Sequence, residues 1–337
     1  MTMTSTYRFA LAALLPLAVG VGAWRSPWAA WFALLAIQVM IATFELLPAA
    51  KSSPPSEPMA VRHRAVLWAH VPLQLALLMV GVLVATRHPG DWVALLALGV
   101  GVGGVTGGQG ITMAHELGHS RSKIDRVLAW VLMSSVLYAH FMVEHYRGHH
   151  ARAATCDDPA SARLGETLWR FLPRTLSSSL NSAWRLESLR LAARRKHWVY
   201  SPLLWATVAQ AALLMALLAV GGGAALVFWC AQAAYAVFLL ETINYIEHYG
   251  LRRERGEPFQ LQHAWNADHM VTNCFIVNLP RHSDHHMNAW KPYAELDALP
   301  GPQLPTGYAG CLFLAMVPPL WRRLMDGRAR SWTGATT

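Results

Sequence analysis

Residues 92–119 read WVALLALGVGVGGVTGGQGITMAHELGH, in which 23 residues without a charge lead into two histidines four positions apart, His115 and His119. About 20 apolar residues, each rising ~1.5 Å, cross the ~30 Å hydrocarbon core of a bilayer. The run therefore predicts a membrane-spanning helix that carries both histidines on one face where it leaves the membrane. Gly99 to Gly104 also satisfies GxGxxG, but no strand precedes it and no acidic ribose ligand follows, which excludes a dinucleotide loop. Small residues at four-residue spacing let neighbouring helices approach closely.

Five more stretches have the length and apolarity of a span: about 7–23, 28–50, 65–86, 200–220 and 223–246. Short breaks at Arg25-Ser26-Pro27, His88-Pro89-Gly90 and Gly221-Gly222-Gly223 join the six into three helical hairpins. The expectation is an all-α polytopic membrane protein, one catalytic domain over 1–337, with cap segments 115–199 and 247–337. The apolar segment 127–143 is short for a span and reads as a re-entrant or interfacial helix.

Composition agrees. The 337 residues are 54% hydrophobic and 14% charged, against about 25% charged in soluble domains. Net charge is +9, and its distribution explains it. With both termini cytoplasmic, 26 of the 28 Lys and Arg lie on the inner side, leaving only Arg25 and Arg87 outside. The charge is thus a topology signal, and nucleic acid is not a partner. Reading 11–23 as a cleaved signal peptide would leave five spans and spoil this separation. Cys156, Cys230, Cys274 and Cys311 are scattered, with no CxxC, so they form neither a disulfide framework nor a thiolate metal knot.

Nine of the sixteen histidines fall in four clusters: His115 and His119; His145, His149 and His150; His248 alone; and His282, His285 and His286. Spacings of three or four aim at least two rings of each multi-histidine cluster at a common point. The predicted topology brings all nine to the inner mouth of the bundle, where Glu45, His70, Glu241 and Asn244 also crowd. A metal centre follows. HELGH matches the HExxH zinc-protease motif with Glu116 as base, but such a site needs three protein ligands. Nine imidazoles without thiolates suit two metals, and imidazole suits iron as well as zinc. Glu116, Glu144, Glu247 and Asp284 stand beside the clusters as partners for imidazole N–H groups. A metal transporter would place its histidines along the spans instead, near the midplane.

The sequence resembles the integral-membrane alkane monooxygenase family, within the wider group of membrane desaturases and hydroxylases. The resemblance is carried by HELGH at 115–119, EHYRGHH at 144–150, DDPASARLGE at 157–166, NYIEHYGL at 244–251, RHSDHH at 281–286, LPTGYAG at 304–310 and PPLW at 318–321. It implies six transmembrane helices, a cytoplasmic cap in the bacterial inner membrane, and two non-haem irons on His115, His119, His145, His149, His150, His248, His282, His285 and His286. It further implies hydroxylation of an alkane's terminal carbon with O2, using electrons from rubredoxin and its NADH-dependent reductase. Ser120, Tyr146 and Pro280 depart from residues usual in the family, Lys, Asn and Gln, without removing a ligand; they leave relatives that oxidise aromatic methyl groups as the alternative. Arg252, Arg253, Arg255, Arg322 and Arg323 form a basic surface suited to an acidic electron carrier and equally to anionic lipid.

Overall fold

The computed structural model describes residues 7–46 and 60–333; the end of the expected 28–50 span and Lys51 lie outside them. Among the described residues there is no strand, only an isolated bridge between Asn266 and Gln303. Five helices of the described residues are long and apolar enough to cross a membrane: Arg8–Arg25, Pro27–Phe44, His63–Thr86, Trp92–His119 and Pro202–His248. Many of their large apolar side chains face outward, among them Phe32, Met79, Leu96, Met215 and Val220. In water that surface would be a liability, whereas lipid covers it at no cost.

The stretches expected at 200–220 and 223–246 form one 47-residue element. Laid straight it would measure about 70 Å, more than twice the bilayer core. It is broken at Gly222, with φ 63° and ψ −163°, a conformation that is almost confined to glycine. The chain reverses there. Leu203 on the first limb packs with Val143 and Ala183, while Glu241 on the second accepts a hydrogen bond from Tyr138. Positions 38 residues apart thus meet one short segment. The bend lies beside the other hairpin ends: a methyl on Gly221 would touch Thr86, one on Gly223 would approach Trp92, and the Arg87 guanidinium covers the Trp24 ring. Arg25 and Arg87 therefore share the end remote from the histidines.

Glycine packing positions the Trp92–His119 helix. A Cβ on Gly99, Gly103 or Gly107 would collide with Ala231, Gln232 or Ala236 on the second limb, and one on Gly101 would strike the Ala30 backbone. These four sites allow backbone-to-backbone contact, the usual means of helix association in lipid. The helix widens into a π-helical turn over Thr106–Ile111, eight to thirteen residues before its end at His119.

The remaining chain gathers at that end. The Lys123–Ser135 helix exposes Ile124, Val127 and Val131 on one side and buries Ala129, Leu132 and Met133 on the other. It ends in a turn at Leu137, φ 57°. The Leu168–Ala193 helix crosses over the site and places Glu187 between Arg147, Arg190 and Ser201. The polar residues within the spans serve the same joinery. Glu45 accepts the backbone N–H groups of Ala309 and Gly310, Glu241 is held by Tyr138, Thr175 and Asn244, and His70 pairs with Gln74.

Two stability measurements check this frame. Gly222→Ala should cost about 1–3 kcal/mol, because alanine is strained at its backbone angles. Gly223→Ala, whose methyl would lie 3.9 Å from Trp92, should be nearly neutral in the same thermal unfolding assay. Equal stabilities would place the reversal elsewhere. For Glu187, burial favours the neutral acid, but hydrogen bonds from Arg190, Ser201 and Arg147 outweigh it and hold the carboxyl down at about 2. Its contribution is therefore complete above the ordinary value of 4.5 and lost as pH falls from there towards about 2. The stability gap between wild type and Glu187→Gln should narrow over that window; a gap independent of pH there would contradict the assignment.

Candidate metal centre

Four chain segments bring histidines to one point. The Trp92–His119 helix ends on His115 and His119, helix 141–152 carries His145, His149 and His150, the second limb of Pro202–His248 ends on His248, and the short His282–Met287 helix supplies three more. Their rings form two groups in which the available ligand atoms lie within 4.8 Å of one another. One holds His115, His119, His145, His150 and His285; the other holds His149, His248, His282 and His286. The groups adjoin, with the His150 and His286 ring centroids 4.5 Å apart.

The grouping differs from what spacing alone suggests. His115 with His119 and His282 with His286 are i, i+4 pairs, as expected. His145 and His149, also four apart, belong to different groups, and His145 joins His150 instead. Residues five apart on an α-helix are rotated by about 140°. The π-helical turn over His145–His149 removes that offset and brings the Nε2 atoms of His145 and His150 to 3.0 Å. A π-turn at a functional site is a recurrent device.

Ring chemistry supports a metal. The Nε2 atoms of His150 and His285 approach to 3.3 Å, those of His282 and His248 to 3.3 Å, and those of His286 and His282 to 3.0 Å. Burial, and then repulsion from neighbouring rings, holds His145, His150, His282, His285 and His286 well below the usual imidazole range. They are neutral at pH 7, the form that ligates. His115, His119 and His149 each keep a buried Nε2 with no hydrogen-bond partner, an arrangement that calls for an ion. With metal–imidazole bonds of roughly 2.1 Å, trans ligand atoms stand about 4.2 Å apart, so both groups close on an ion after shifts of a few tenths of an ångström.

The outer partners fix the tautomers. His149 Nδ1 donates to Asp158 Oδ2 over 2.9 Å, and His248 Nδ1 to the His263 carbonyl over 3.2 Å, leaving each Nε2 lone pair free. Glu247 lies 3.2 Å from His282 Nδ1 and is steadied by the Tyr308 hydroxyl, 2.7 Å away; Glu116 lies 3.5 Å from His115 Nδ1. Glu144 and Asp284, also expected beside rings, bond Arg152 and Lys291 instead, because those cations reach them first. Asp158 was not singled out by spacing. It sits in a loop nine residues after His149, inside the DDPASARLGE stretch, and that stretch was its only signal. Of the basic surface, Arg253 is spent on the Ala151 and Ala153 carbonyls, Arg255 on Asp157, and Arg322 stands 3.6 Å from Asp326, which leaves Arg252 and Arg323 for an outside partner or lipid.

The centre faces a cavity of about 130 Å³ inside the bundle. Its walls are mostly aliphatic, including Leu15, Leu34, Ile37, Ile41 and Leu239, and it ends on His115, His145 and His282. Both histidine groups thus border the same apolar space.

A family model described as fatty acid desaturase matches residues 90–315, most of the chain. Alkane 1-monooxygenase 1 of Pseudomonas aeruginosa is 40% identical over 277 residues, covering 78% of this chain and 72% of that protein. The alkane 1-monooxygenase of Ectopseudomonas oleovorans is 36% identical over 280 residues, covering 81% and 70%. The xylene/toluene monooxygenase hydroxylase component XylM of Pseudomonas putida is more distant, 28% identical over 226 residues, covering 66% and 61%. A bundle of lipid-facing helices with a histidine-rich centre at one end and a matching desaturase model defines a membrane-embedded desaturase or hydroxylase. Within that class, the chain belongs to the alkane monooxygenase family.

Removing the Asp158 carboxylate frees the His149 ring, and loss of such a partner typically weakens metal by about 10–100-fold. Asp158→Ala should accordingly give up metal at lower chelator concentration than wild type, whereas Glu187→Gln, which touches no ring of either group, should not. Equal retention in Asp158→Ala and wild type would remove Asp158 from the centre.

Proposed function

We propose that the protein is a di-iron alkane 1-monooxygenase that hydroxylates the terminal carbon of an alkane, with the balance RH + O2 + 2 electrons + 2 protons giving ROH and water. One observation carries the reading: a single apolar cavity ends on histidines of both groups, so an unfunctionalised chain lying in it presents its end to the whole centre. The two histidine groups, of five and four imidazoles, would each hold an iron, and the irons would supply the activation of dioxygen. Asp158 and the His263 carbonyl keep the ring protons on Nδ1 and so keep the ligating lone pairs available. The aliphatic walls hold the substrate by shape and exclude water, at ~0.8 kcal/mol per buried CH₂. Lipid already dissolves alkanes, and the substrate enters from it.

In this reading the chain makes six crossings, two of them from the Pro202–His248 element, with the termini and the metal centre on the cytoplasmic side of a bacterial inner membrane; the reversal at Gly222 and the Lys and Arg distribution support it. Electrons arrive at that side from a rubredoxin served by an NADH-dependent reductase. The zinc-protease reading of HELGH fails to use seven of the nine rings. XylM keeps alkyl-aromatic substrates as the second reading.

Metal analysis joined to product identification tests the proposal. Purified protein should contain close to two irons per chain and, given rubredoxin, reductase and NADH, should turn alkanes into primary alcohols faster than it oxidises alkylbenzenes. One zinc and no iron would sink the reading, and benzylic products alone would favour the second one. His248→Ala should lose iron relative to His197→Ala, which alters an exposed ring away from both groups; equal iron in the two would remove His248 from the ligand set.

A further inference from the structure

Seven glycines occupy residues 99–110, and packing explains six. A Cβ on Gly99, Gly101, Gly103, Gly104, Gly107 or Gly110 would collide with a neighbouring helix or side chain. At Gly108 it would meet nothing within 4 Å. Nor does the backbone require glycine there, since its φ is not positive. A glycine inside a helix costs roughly 0.5–1 kcal/mol relative to alanine, and at this position no helix contact returns that cost. The space that a side chain would fill is the substrate cavity, because Gly108 lines it together with Thr112 and His115. These three lie on one face, at i, i+4 and i+7. Thr112 turns its hydroxyl back to the Gly108 carbonyl over 2.9 Å, so that stretch of wall offers the cavity no free donor. At the near end His115 is 4% exposed, and its Nε2 makes no hydrogen bond. Gly108 stands roughly 10 Å along the axis from that ring at ~1.5 Å per residue.

We propose that Gly108 is a specificity-determining position: its missing side chain leaves open the part of the cavity that receives the chain beyond the carbons next to the metal centre, and so sets the length of alkane accepted. This rests on the monooxygenase reading above. A side chain at 108 shortens the space from the far side while leaving the ligands untouched, so it discriminates by length and not by chemistry.

The test uses Gly108→Ala, Gly108→Leu and Gly99→Ala in the full-length, iron-loaded protein. Each variant is given n-alkanes of graded length, and the ratio of turnover of the longest accepted alkane to the shortest is recorded. Overpacking a filled site should lower that ratio by roughly tenfold or more in Gly108→Leu and less in Gly108→Ala, with iron content unchanged. Gly99→Ala, whose methyl would strike Ala231 and which does not line the cavity, should lower thermal stability and leave the ratio alone. A parallel readout omits turnover: the rise in unfolding temperature of iron-free protein on adding each alkane should peak at a shorter chain in Gly108→Leu than in wild type. If wild type hydroxylates and binds the series but both profiles are the same in Gly108→Leu, the inference is overturned and the functional reading stands. If wild type neither binds nor hydroxylates any member, both fall together.

Discussion

Nine imidazoles held with their lone pairs converging repel one another unless a cation lies between them, and this constraint organises the rest of the molecule. Rings whose Nε2 atoms approach to 3.0–3.3 Å must be kept there by their own backbones. The backbones belong to four segments separated by as many as 171 residues, from His115 to His286. Each is fixed by something outside the site. The Trp92–His119 helix is locked by glycine contacts, the His248 limb by the reversal at Gly222, and the His282–Met287 helix by Asn266, which bonds Ser283 at both main chain and hydroxyl. Strain at the centre is resisted by packing elsewhere, as at other preorganised sites.

Much of this could be read in the chain alone. Runs of apolar residues gave the long helices, and the triple glycine at 221–223 marked the reversal that a continuous helical element conceals. The Lys and Arg distribution put Arg25 and Arg87 at one end, where the structure brings Arg87 over Trp24. All nine histidines were legible because side chains this costly to bury without a partner are informative wherever they cluster.

What was not legible depends on geometry that a spacing rule does not contain. A period of 3.6 pairs His145 with His149, and only the π-turn reassigns the partners. Asp158 reaches His149 through a loop, where sequence distance predicts nothing about contact. Glu144 and Asp284 look equivalent to Glu247 in sequence, yet Arg152 and Lys291 claim them. The cavity is also invisible in one sequence, because an empty volume is the joint product of several helices. Gly108 shows how this works: among seven glycines of identical appearance, the structure singles out the one that faces space instead of a neighbour.

The turn that carries His145, His149 and His150 contributes to both histidine groups within six residues. An ion gripping His145 and His150 fixes the pitch of that turn, and with it the direction of His149. An ion in one group would therefore order part of the other, and by linkage the reverse would hold to the same degree.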